Sequence, residues 1–131
     1  MSVEITRLRN GIHVITHHMP HLETAALGIW VKAGARDERP EENGVAHFLE
    51  HMLFLGTAKY PDSGEYQEFI DSHGGSHNAY TAYENTNYYF EIDAGWLEPS
   101  LDRFSQFFIA PLFTADYVNR ERNAVNSEYQ S

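Results

Sequence analysis

The chain has 131 residues, no cysteine, 42% hydrophobic and 14% aromatic residues. That suits one domain with a real core, and it excludes wholesale disorder, a disulfide framework, thiolate metal sites and a cysteine nucleophile. Nine Lys and Arg against nineteen Asp and Glu give a formal charge of −10, the wrong sign for nonspecific nucleic-acid binding.

The charge is uneven: six bases and seven acids in residues 1–60 (−1), three and twelve in 61–131 (−9). The longest uncharged apolar-rich run, 104–115, is about half of the ~20 residues a membrane span needs. Residues 1–7 show no basic region followed by an apolar run, so neither a secretory signal nor a membrane is expected, and the reading is cytoplasmic.

In chain order, Asn10-Gly11 reads as a tight turn between strands at 4–9 and 12–18. The apolar stretch 24–33 suits a strand covered on both faces. A polar loop over 34–43 follows, and Asn43 is placed to cap a helix that runs to about Leu55 and closes at Gly56. Asp62 and Glu65 have capping-box spacing for a second helix, which Gly74-Gly75 should stop. Strands over 76–83 and 86–93 come next, then a helix over 96–109 ending at Pro111. Thr114 caps a fourth helix, still running at Ser131 with no Gly or Pro stop. Strands, helices, strands, helices in that order argue an α+β fold, a mainly antiparallel sheet with helices packed on one face.

The chemistry lies in His47-Phe48-Leu49-Glu50-His51. On a helix these three ionisable groups share an arc of about 100°. Val45, Phe48, Leu49, Met52, Leu53 and Leu55 make the rest apolar, which predicts a buried helix whose polar groups must be paired or bind something. Two His four residues apart can chelate one zinc ion, and the intervening Glu can reach its water. The order H-x-x-E-H is the inverted form of the H-E-x-x-H zinc peptidase motif. A hydrolytic zinc wants a third protein ligand, and without cysteine it must be His, Asp or Glu. On the fourth helix Val118, Glu121, Val125 and Glu128 form one stripe, with two carboxylates where a core-facing helix carries apolar residues.

Other groups have plainer readings. His13, His17, His18 and His21 cluster around a strand end and read as solvated. His73 and His77 are separated by Gly74-Gly75 and do not share a helix. Phe104, Phe107 and Phe108 have helical spacing and read as core.

Three segments carry a resemblance: His47 to Met52, Gly74-Gly75-Ser76-His77-Asn78-Ala79-Tyr80-Thr81, and Glu121 to Glu128. Together, and with Glu128 lying 77 residues after His51, they resemble the pitrilysin/insulinase family of zinc metallopeptidases. The resemblance implies part of a pitrilysin/mitochondrial-processing-peptidase-like domain. It implies Zn²⁺ held by His47, His51 and Glu128, with Glu50 as general base. Glu121 matches a second acidic position that supports the site without ligating. Asn78, Ala79, Tyr80 and Thr81 match an edge strand that takes up substrate as an added β-strand.

The family domain is longer, built from two similar halves, and active members assemble several such domains. The expectation is therefore an incomplete N-terminal zinc-binding domain over 1–131, the catalytic fragment of a zinc metalloendopeptidase acting on unfolded peptides. The expected partners are a peptide substrate and a missing domain or subunit of the same family, with self-association of the isolated chain. The alternative is a peptide- or partner-binding module that keeps zinc without hydrolysis. Up to about Met52 the wording resembles the two-subunit processing-peptidase branch, and from Leu53 onward the long single-chain pitrilysin branch.

Overall fold

A computed structural model describes the backbone of residues 2–130 and the side chains of residues 2–127. Two strands, β1 (Val3–Arg7) and β2 (His13–His17), form an antiparallel hairpin with Ile5 opposite Ile15. Asn10 and Gly11 do make its turn: Asn10 Oδ1 accepts from the Ile12 N–H at 3.1 Å, and Gly11 takes a φ of 93°. The hairpin lies apart from the main sheet and is exposed on both faces, and His13, His17, His18 and His21 are all exposed.

The main sheet is antiparallel, in the order β3 (Thr24–Val31), β5 (Thr86–Asp93), β4 (Ser76–Thr81). Strand alternation sends Tyr88, Phe90 and Ile92 of the central strand inward, where they are buried. Leu27, Ile29 and Val31 of β3 and Ala79 of β4 pack on the same side. Helices α2 (Glu65–Ser72) and α3 (Leu97–Ile109) close this face with Tyr66, Ile70, Phe104 and Phe107. Their rings meet edge to face, Tyr66 with Phe107 at 4.8 Å and Phe90 with Phe104 at 5.2 Å between centroids, a preferred aromatic geometry. Helix α1 (Val45–Leu53) lies over β4 and inserts Leu53 into the core, and α4 (Ala115–Gln130) packs on α1. The architecture is α+β with the helices on one face.

Several expectations are corrected. Strand β3 is covered on one face only: Trp30, on the other, is 65% exposed and meets Tyr80 edge to face. Among the described residues no helix covers that side, so the apolar run reflects side-chain choice and not two-sided burial. Helix α1 is not buried all round, because α4 and the sheet cover only part of it and leave Val45 and Leu49 exposed. Phe108 is 37% exposed at the rim, unlike Phe104 and Phe107. The capping box at Asp62 and Glu65 does not form. Asp62 instead accepts from the Gly64 N–H at 2.9 Å to shape a turn. Glu65 turns away to Arg103 at 2.7 Å, a pairing that ties α2 to α3.

Candidate metal centre

The centre is built on α1, and the loop before α1 fixes where the helix starts. Two short 3-10 turns, Ala35–Asp37 and Pro40–Glu42, fold residues 34–43 back onto the β4–β5 turn. Gly34 passes so close that an added Cβ would fall 2.3 Å from the Ala82 carbonyl oxygen. Asn43 is not the cap: Gly44 occupies that position with a φ of 92°. The first-turn amides are satisfied by Glu38, whose two carboxylate oxygens accept from Gly44 N–H at 3.1 Å and Ala46 N–H at 2.7 Å. A carboxylate here also suits the positive end of the helix dipole.

One turn further on, the His47 and His51 rings cross nearly at right angles, with their Nε2 atoms 3.1 Å apart. The other nitrogen of His51, Nδ1, lies 3.1 Å from Oε2 of Glu121 on α4. A carboxylate only accepts, so Nδ1 carries the proton and the His51 Nε2 lone pair points toward His47. Two nitrogens on a tetrahedral zinc, each bonded at about 2.05 Å, lie about 3.3 Å apart. The observed separation is within a few tenths of that edge, and the donor set fits the ion.

Glu50 is 8% exposed, the one buried charged residue among the described residues. Its Oε2 accepts a hydrogen bond from the Thr81 hydroxyl at the end of β4. One ligand atom from each of His47, Glu50 and His51 lies within 4.8 Å of the others. Tyr88, buried next to this group, has its hydroxyl pKa pushed up to about 12, mainly by burial and further by the Glu50 charge. The phenol therefore stays neutral and offers no competing base.

The structure brings His47, Glu50, His51, Glu121 and Thr81 together. The side chain of Glu128 lies outside the described residues. Strand β4 is an edge of the sheet, with Asn78 and Tyr80 exposed on its open face and Ala79 and Thr81 turned toward the helices. Asn78 Oδ1 accepts from the Ala79 N–H at 2.8 Å. Glu38 was missed by sequence reasoning. It stands six residues before the cap it serves, across a loop, and no local spacing rule reaches that far.

Two imidazoles and a buried carboxylate on one helix, beside an exposed strand edge, are the arrangement of a metal-dependent peptidase. Comparison with known proteins agrees. The insulinase family model (peptidase family M16) matches residues 13–131. Human insulin-degrading enzyme is 46% identical over 123 residues, which is 94% of this chain and 12% of that protein. The A-factor-processing enzyme of Saccharomyces cerevisiae is 45% identical over 127 residues, 97% of this chain and 12% of that one. A crystal structure of pitrilysin superposes with a TM-score of 0.91 at 36% identity, covering 98% of this chain and 14% of that chain. The chain belongs to the insulinase family of peptidases, M16, whose zinc chemistry its donor set fits. It spans about an eighth of the length of these relatives.

Proposed function

We propose that the chain carries the metal centre and general base of a zinc metalloendopeptidase acting on unfolded peptides. The observation that supports this best is the pair of Nε2 atoms, 3.1 Å apart, with Glu121 holding the His51 ring from behind. His47 and His51 would hold the ion, with Glu128 as third ligand. When bound, zinc supplies a Lewis acid that acidifies water and polarises the scissile carbonyl. Glu50 takes a proton from the attacking water as the water oxygen bonds to the carbonyl carbon. The carbon–nitrogen bond then breaks, and Glu50 hands that proton to the leaving amine. Strand β4 would receive the peptide as an added strand, so recognition runs mostly through backbone groups.

The test incubates the purified chain with zinc and an unfolded fluorogenic peptide, alone and with the remaining polypeptide of a relative added. Cleavage that chelator abolishes supports the reading. Peptide capture without cleavage in both arms would instead favour a binding module that keeps its metal.

A further inference from the structure

We propose that Thr81 is a positioning residue for the base: its hydroxyl fixes the Glu50 carboxylate, and its side chain does not contact substrate. The inference deepens the proposed function and rests on it for the role of Glu50. The alternation of β4 decides the direction of the side chain. Residues 76, 78 and 80 are exposed on the open face, while 77, 79 and 81 turn toward the helices. Thr81 ends the strand where α1 crosses it, and its Oγ1–H donates to Glu50 Oε2. A strand-adding peptide would meet the backbone edge and the outward side chains, and the Thr81 hydroxyl, turned toward α1, is on neither.

The need for this contact follows from burial. A carboxylate only 8% exposed has lost most of its hydration and needs a protein donor in its place. Among the described residues, Thr81 is the side chain that donates a hydrogen bond to Glu50. A threonine hydroxyl has a single proton to give. It therefore holds Oε2 and leaves Oε1 to take up the proton from water. The χ1 stiffness of a β-branched side chain in a strand helps keep the hydroxyl in place. Because β4 is also the strand edge, its register and the base orientation form one rigid unit, with Thr81 linking them.

The experiment has two arms. In the first, Thr81→Val, Glu50→Met and the double variant of the metal-free chain are unfolded in urea. Thr81→Val should lower the folding equilibrium constant about tenfold or more in the natural background, the worth of a hydrogen bond to a charged group. With Glu50→Met present, the same change should cost less than about twofold, since the acceptor is gone. Equal losses in both backgrounds would mean that Thr81 only fills space, and would overturn the proposal.

The second arm is peptide hydrolysis with zinc, using Thr81→Val and Thr81→Ser. A positioning role predicts a fall in kcat of about tenfold or more with KM little changed, and recovery in Thr81→Ser. A raised KM with kcat intact would make Thr81 a substrate contact and sink the idea. If no variant, nor the natural chain, cleaves either alone or with the remaining polypeptide of a relative added, the endopeptidase reading fails, and the urea cycle still decides whether Thr81 holds Glu50.

Discussion

Glu121 holds the His51 ring from behind. Its contact to Nδ1 aims the other ring nitrogen, Nε2, at His47, and behind a metal-bound imidazole such carboxylates are worth about 10–100-fold in metal affinity. Glu121→Gln should weaken zinc binding by that factor in a chelator-competition titration. Glu128→Gln should lose considerably more, as a ligand would. Glu50→Gln should retain zinc and lose hydrolysis, and a variant that still cleaves would remove Glu50 from the base role. A second residue-scale group titrates outside the centre. Lys59 and Tyr60 both donate to Asp102, and these bonds, that from Lys59 foremost, hold the Asp102 pKa below its ordinary 3.8. The carboxylate is bound more tightly than the acid, so its contribution is present above the ordinary value and is lost as pH falls through the depressed one. Lys59 is the mirror case: its pKa is raised, chiefly by Asp102, and its share is lost only as pH rises past 10.5 and above. Asp102→Asn should therefore lower the melting temperature at neutral pH, and the gap from the natural chain should close below pH 3.8. The pair is exposed, so added salt should narrow the same gap.

At the scale of elements, helix starts were the hardest feature to read. The hairpin around Gly11, the central strand β5 and the stop at Gly74 follow from local signals: a turn dipeptide, alternation, a glycine with a φ of 75°. The starts of α1 and α2 do not, because the groups that satisfy them come from elsewhere or are spent elsewhere. Glu38 reaches α1 from across the loop, and Glu65 goes to Arg103. Glu38→Ala should cost about 1–2 kcal/mol in denaturant unfolding, since two first-turn amides lose their acceptor. Glu38→Gln should recover part of it, because one carbonyl oxygen remains. The motif on α1 and its partner on α4 were legible because helical periodicity places them. What α4 packs on was not legible: the stripe of Val118, Glu121 and Val125 reads as core-facing, and the surface it finds is α1, with Glu121 against His51. Nothing in a periodic pattern names the surface opposite. Thr81 is a similar case, since strand alternation gives its side but not that Glu50 waits there.

On the scale of the whole molecule, the helices cover one face of the sheet and leave the other open. Trp30, Tyr80 and Tyr89 share that open face, each at least 40% exposed, while Val45 and Leu49 are exposed on α1. Apolar patches of this kind mark interaction surfaces or aggregation. The chain alone should therefore sediment as more than a monomer at micromolar concentration, and a compact monomer would contradict this. The metal centre joins residues far apart in sequence, His51 on α1 and Glu121 on α4. Zinc at about 100 times its dissociation constant should then stabilise the fold by about 2.7 kcal/mol. Melting with zinc and with chelator checks it, and an unchanged midpoint would detach α4 from the centre.

The open face has a consequence for spectroscopy. Both tryptophans look out on water, Trp30 at 65% and Trp96 at 42% exposure. Their emission should therefore be close to that of a solvated indole, so denaturing the chain should shift its wavelength little, and circular dichroism is the better probe of unfolding. The same geometry makes Trp30 a reporter of a different event. Whatever settles on the outer face of the sheet must dehydrate that ring and its edge contact with Tyr80, and should move its emission to the blue. Trp96, packed against His73 near the start of α3, would stay as it is, and a Trp96→Phe chain would isolate the signal.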